Sequence, residues 1–304
     1  MAVKEMIQIR SRVASALKIT TMTTAGVAAA LLAAGCSSGG GINAGGSGGS
    51  GGGSGGSQPG STSLSAAQAV TMASQHAASV NSFATTMDVQ MSGSISGAMV
   101  GTMQMRKQPS LLIDAHFSKL DMSSQSIPGG MEEIVTTKTL YLKMASLQQS
   151  LGKPWAALPL SALSGRAGVN LSQLTQQAQQ NNPMTDVQML SSAKNLRALG
   201  TQTIAGTQTT HYSGSFSASA GLAKLPSGLR STEQKALQTL GITTFDFNAW
   251  IDGQHQIRKI AVTEHGGSEQ ITATMQVTGY NQPLTVSLPP SSQVKKIPAS
   301  TLGG

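Results

Sequence analysis

The chain has 304 residues, with 20 Lys and Arg against 12 Asp and Glu, a formal charge of +8. Charged residues make up only 11% of it, against a usual ~25%. The single cysteine excludes an intramolecular disulfide scaffold and a cysteine-rich zinc module. Aromatics are 3% of the chain while methionines number 15 and glycines 35, a bias toward soft and small residues.

Residues 1–35 read as a secretory signal. Lys4, Arg10, Arg12 and Lys18 face one acid, Glu5, and a modestly apolar, Thr- and Ala-rich stretch follows over 19–35. The leader therefore carries three of the eight net positive charges, and no further charge appears until Asp88. A membrane span needs ~20 predominantly apolar residues, so a cleaved leader is the expected reading. Leu32-Ala33-Ala34-Gly35-Cys36 resembles the bacterial lipobox, in which the cysteine is lipidated and becomes the new N-terminus. Cys36 is followed by a run of Ser and Gly that could not bury a thiol. Two or more acyl chains give stable membrane attachment. The expected location is the outer face of the cell membrane.

Residues 36–63 are the lipidated Cys36 and a tether. Between 37 and 63 lie 13 Gly and 8 Ser in 27 residues, with no charge and no aromatic. Such a segment buries too little to offset its ordering entropy, and as a flexible coil it spans roughly 30 Å. Gly45-Gly46-Ser47-Gly48-Gly49 fits a nucleophile-elbow pattern but lacks the flanking strand and helix that give that pattern meaning.

Residues 64–304 are expected to form one domain, and all ten aromatics lie in it. Leu64, Ala67, Val70, Ala73, Ala77 and Val80 recur at threes and fours, predicting a helix near 65–80 with Ser63 or Ser65 as N-cap. Period-two alternation predicts strands at 83–92, 97–107 and 110–118, and a hairpin over 131–145 turning near Thr137-Lys138. The middle is expected to be helical, over a Gln-rich 170–180 and over 186–198, where Val187, Leu190, Ala193, Leu196 and Arg197 fall at helical spacing. Strands resume over 200–219 around Ala205-Gly206. A helix is expected at 220–240, interrupted near Pro226. Two strands, 243–251 and 254–264, flank the turn signal Asp252-Gly253, and a last strand pair covers 268–288 before Pro289-Pro290. Sequential strands with helices inserted in blocks predict an α+β fold with a mainly antiparallel sheet.

Tyr141-Leu142-Lys143-Met144 followed by Gly152-Lys153-Pro154-Trp155 resembles a signature of actinobacterial LolA-like lipoproteins, the group containing the LppX/LprG-like lipid carriers. Gly200-Thr201, then Gly206-Thr207-Gln208-Thr209-Thr210-His211-Tyr212, is similar to that family's central hairpin, and Trp250-Ile251-Asp252-Gly253 and Pro289-Pro290 fit its last strands. The resemblance spans roughly 65–295. It implies a curved antiparallel β half-barrel with helices packed in its concave face and an apolar cavity between the layers. It also implies binding or transport of a lipid or other acylated ligand. The matching motifs look like fold markers rather than ligand contacts.

The residue bias agrees with this. Twelve methionines remain after the leader, and methionine is over-used on promiscuous apolar surfaces. Either core packing or cavity lining accounts for any one of them. The candidate lining residues are Met87, Met91, Met103, Ile113, Phe117, Leu140, Leu142, Met144, Trp155 and Leu190. A segment within 145–170 is a candidate entry loop. The five histidines are scattered without metal-ligand spacing, His211 reads as structural, and no metal or other cofactor is expected. Catalytic residues are not expected: Glu132 and Glu133 are adjacent, so in a strand they point to opposite faces. Basic residues are dispersed, which disfavours nucleic acid. The expected partners are the membrane, through Cys36, and an acylated ligand held by a monomer, with an export partner in the envelope left open. The alternative is an interaction or sensory lipoprotein that carries nothing.

Overall fold

A computed structural model describes residues 64–93, 96–122, 125–163, 187–225, 227–267 and 269–297. The leader, Cys36, the tether and the helix expected at 170–180 lie outside these residues.

Helix α1 (Ala66–Ser79) opens the described chain. Ser65 caps it: its Oγ accepts from the Gln68 backbone N–H, and the Gln68 side chain accepts from the Ser65 N–H. This reciprocal box satisfies two donors that a helix start leaves orphaned. Strands β1 (Ser82–Ser92), β2 (Gly97–Arg106) and β3 (Leu112–Met122) follow as an antiparallel meander. Then come β4 (Gln125–Ser126), β5 (Met131–Thr136), β6 (Thr139–Lys143), α2 (Ala145–Leu151), β7 (Trp155–Pro159) and α3 (Leu160–Leu163). A 3-10 helix spans Val187–Ser192. The second half holds β8 (Lys194–Ile204), β9 (Thr207–Ser217), α4 (Ala218–Leu222), α5 (Ser227–Leu240), β10 (Thr244–Asp252), β11 (Ile257–Gly266) and β12 (Glu269–Tyr280). After a second 3-10 turn (Ser291–Gln293) the described chain ends with β13 (Val294–Lys296).

These strands form one sheet in the order β13-β7-β6-β5-β3-β2-β1-β12-β11-β10-β9-β8, with β4 paired to β3. Every pair is antiparallel except β13 with β7. The result is an α+β fold, one large and mainly antiparallel sheet with a few helices. Residues directly opposite in an antiparallel pair share a face. Met87, Val89 and Met91 of β1 thus line up with Met275, Ala273 and Ile271 of β12, all buried. Thr86, Asp88 and Gln90 line up with Gln276, Thr274 and Thr272 on the other face. Ala69, Val70, Ala73 and Ala77 of α1, and Leu147, Leu222 and Leu237 of α2, α4 and α5, join the sheet's inner residues in one core cluster.

Two expectations are corrected. Residues 186–198 are not one helix. The chain leaves the 3-10 helix at Ala193 and becomes β8, because β9 supplies backbone partners: Arg197 opposes Ser213 and Ala198 opposes Tyr212. Residues 269–288 hold one strand, Glu269–Tyr280, rather than two. It stops at Asn281, which adopts φ 50° and whose Oδ1 accepts from the backbone N–H groups of Asn81 and Ser82. The remaining strand of that region is instead β13, at the far edge of the sheet. Within the candidate entry segment 145–170, residues 145–163 hold α2, β7 and α3, and the rest lies outside the described residues. The expected helix at 220–240 is two helices, α4 and α5, as the proline signal implied. Arg230 of α5 caps α4 by donating to the carbonyls of Leu222, Ala223 and Leu225.

Candidate functional site

The inner face of the sheet is the candidate site. Nine of the ten candidate lining residues belong to its core cluster: Met87, Met91, Met103, Ile113, Phe117, Leu140, Leu142, Met144 and Leu190. Strand parity brings seven of them together. Ile113 opposes Met105 and Val135, Phe117 opposes Gly101 and Met131, and Leu140 and Leu142 oppose Leu158 and Ala156. Met144 ends β6 at the start of α2, and Leu190 reaches the layer from the 3-10 helix. Gly101 is required here, since a Cβ would fall 2.4 Å from the His116 carbonyl oxygen and 2.9 Å from the Phe117 ring.

Trp155 lies elsewhere. It opposes Lys143, whose Nζ sits 5.7 Å from its ring centroid, while β7 presents Ala156 and Leu158 inward. The indole is therefore 7% exposed on the outer face of the sheet, beside the Lys143–Glu132 ion pair of 2.8 Å.

Nine of the twelve methionines after the leader are buried, and all nine are in the core cluster. Facing them, α1 contributes mainly alanine. Small residues on the helix and long unbranched ones on the sheet make a layer whose filling can be rearranged at low cost.

Two carboxylates interrupt this apolar face. Glu133 opposes Leu142 and Ala115 and is 0% exposed, while Glu264 opposes Phe245 and Ile271 and is 1% exposed. Both have interaction partners. The divergence of Glu132 and Glu133 follows from adjacency and was legible. Glu264 was missed, although it shares the parity of Ile260 and Val262.

The remaining polar groups brace the strands and their turns. His211 stacks on Trp250 at 4.3 Å and 9°, and its Nε2 lies 2.9 Å from Asn248 Oδ1. Lys259 covers the Trp250 ring from 4.8 Å, and the indole N–H donates to Gln202 Oε1. At the β10–β11 turn, buried Asp252 accepts from Arg258 Nε at 2.7 Å and from the backbone N–H groups of Gln254 and Gln256. The Tyr280 hydroxyl donates to the Ile257 carbonyl, and burial pushes its pKa well above the usual phenol range. On the outer face of β3, burial first and then the nearby Glu132 raise the pKa of Asp114, with His116 opposing them. Among the described residues, no group of three or more His, Cys, Asp and Glu side chains is arranged to hold a metal ion. No helix among them is long and apolar enough to cross a membrane.

No family model matches the sequence, and no curated protein matches it. Solved structures of similar shape include the lipoprotein LppX of Mycobacterium tuberculosis, 17% identical over 73% of this chain and 98% of that one, with a TM-score of 0.43. LprF from Mycobacterium bovis is 14% identical over 74% of this chain and 96% of its own, with a TM-score of 0.45. A LolA superfamily protein from Nitrosomonas europaea is 8% identical over 80% and 99% of the two chains, with a TM-score of 0.25. The fold assignment rests on the strand order and the pairing of this sheet rather than on these likenesses.

Proposed function

We propose that the chain is an extracytoplasmic lipoprotein that binds or carries a lipid or other acylated molecule without chemical conversion. In this reading residues 1–35 are removed, Cys36 carries the membrane anchor, 37–63 form the tether and 64–304 bind the ligand. The observation that carries it is the methionine-rich inner face of the sheet set against an alanine-rich helix. Acyl chains would enter between these layers, against methionine side chains that can repack around them. Each buried methylene stabilises the complex by about 0.8 kcal/mol, so a long chain offsets the cost of parting the layers.

The alternative is an interaction lipoprotein without cargo. The burial of nine methionines in one core cluster favours it, since residues that only pack a core need no ligand. Native mass spectrometry of the gently purified full chain decides between them. Co-purifying lipid that leaves on delipidation and returns on incubation with vesicles supports a carrier, and an empty protein that takes up nothing overturns it. Separately, Cys36→Ala should release the protein from the membrane fraction. A variant that remains membrane-bound would remove the anchor from this reading.

A further inference from the structure

A second concavity lies outside the apolar layer, on the solvent side of α1. Its volume is about 450 Å³, and α1, the 3-10 helix and the turn after α4 line it. Helical spacing explains the α1 wall. Thr71, Ser74, Gln75 and Ala78 fall at i, i+3, i+4 and i+7, a stripe beside the one that α1 turns to the core. In a 3-10 helix residues three apart eclipse, so Gln188 and Ser191 form the opposite wall together. Ser74, 3% exposed, fixes the two walls, because its Oγ is within hydrogen-bonding distance of both the Val70 and the Val187 carbonyls, at 2.8 and 3.0 Å. Lys224 closes one end. Its backbone N–H donates to the Gly221 carbonyl, and its ammonium has no ion-pair partner among the described residues.

The chemistry of this lining is specific in one respect. Beside the Ala78 methyl and the aliphatic parts of the longer side chains, its functional groups are hydroxyls, carboxamides and one cation, with no carboxylate. Hydroxyls and carboxamides both donate and accept, which suits the hydroxyls of a polyol. An ammonium without an ion-pair partner among the described residues suits an anion. The volume lies within the ~300–1,000 Å³ of small-molecule sites and equals that of about fifteen waters, too large for a lone phosphate. The geometry points to a seat for a phosphodiester-linked polyol, the headgroup of an anionic amphiphile, with Lys224 on the phosphate and Thr71, Gln75 and Gln188 on the hydroxyls. This rests on the proposed lipid-binding function for the source of the headgroup. The acyl chains would lie under α1 and the headgroup above it.

The test uses the full chain reconstituted in vesicles of equal phosphatidylglycerol and phosphatidylcholine, then extracted in mild detergent for native mass spectrometry. A parallel titration uses soluble glycerophosphoglycerol. The wild type should be enriched in phosphatidylglycerol. Lys224→Glu should cut the ratio of the two bound lipids about tenfold, the size of a lost charge-assisted hydrogen bond, while total bound lipid is unchanged. Lys138→Glu, on the exposed β5–β6 turn, should leave the ratio as it was. Equal loading of both lipids by the wild type, or a ratio untouched by Lys224→Glu, overturns the seat and leaves the carrier reading standing. Soluble headgroup bound through Lys224 without any lipid loading supports the seat for free phosphodiesters and removes the carrier. Binding of neither probe overturns the seat as well as the carrier.

Discussion

The two halves of the sheet are built from different materials. Strands β1 and β2 carry five methionines, Met87, Met91, Met99, Met103 and Met105, and one aromatic, Phe83. Strands β9 and β10 carry five aromatics, Tyr212, Phe216, Phe245, Phe247 and Trp250, and no methionine. In the second half the rings lock each other: Phe216 stacks on Phe245 at 4.9 Å and 7°, and Phe247 lies 6.2 Å from Phe216. Gly214 is needed there, since a Cβ would come within 2.9 Å of the Phe247 ring. Flat rings have few rotamers and strong shape demands, while a thioether side chain has three rotatable bonds. One half is a fixed scaffold and the other can be repacked. A protein that parts its layers around a guest needs both kinds.

Substitutions can break that contrast. The largest effect is expected from Phe247→Ala, which should cost about 3–5 kcal/mol in urea denaturation, because the surrounding rings cannot collapse into the void. A cost as small as that of a methionine exchange would remove the distinction between the halves. Next is Arg258→Ala, which strips Asp252 of its ion pair at the β10–β11 turn. Asp252 is 1% exposed on its side chain, so the loss should be about 3 kcal/mol by the same measurement. By contrast, Met87→Leu and Met103→Leu should each cost less than about 1.5 kcal/mol, since volume is conserved. They should nevertheless lower lipid uptake in native mass spectrometry, because leucine is stiffer. Unchanged uptake would sharpen the comparison to one of packing alone.

The smallest effect concerns pH and lies on the outside of the soft half. Burial and the nearby Glu132 raise the pKa of Asp114 in the folded protein above its unfolded value. The folded state therefore binds the proton more tightly, and this group's contribution to stability falls as pH rises through the carboxylate range. Asp114→Asn should raise Tm slightly at neutral pH, and the gain should shrink toward about pH 4. A gain that grows in acid would reverse the assigned sign. Asp114 is partly exposed, so solvent screening keeps the effect small.

Much of this architecture was legible because the elements had one wet and one dry side. Alternation placed β1, β2, β3 and β6, and through them seven residues of the inner layer. The spacing of Val70, Ala73 and Ala77 placed α1, and Asp252-Gly253 placed the turn between β10 and β11. The failures have physical causes. Strand β7, Trp-Ala-Ala-Leu-Pro, has four successive buried residues, so it shows no alternation. That hid Trp155's position on the outer face. Strand β8 is an exposed edge with two register shifts, and Asn195 within it adopts φ 56°. With no buried face of its own, it borrowed the helical spacing of Leu190, Ala193 and Leu196. The groove beside Lys224 left no local signature, because its walls come from segments far apart in the chain.

The seam between β1 and β12 sets the order in which the molecule can be assembled. Asn281 receives the N–H of Asn81 across 200 residues of chain, and ten residue pairs of β1 and β12 continue that register from Phe83–Tyr280 to Ser92–Gln270. The other open edge of the methionine-rich half, β7, is covered by Val294–Lys296. Both margins of that half thus await the C-terminal segment, and pairings so distant in sequence form slowly. A chain emerging from its N-terminus keeps β1 and β7 unmatched on one side until nearly the last residue is out. Late closure of this kind keeps a polypeptide threadable, which is the state required of one that is pushed through a membrane before it folds.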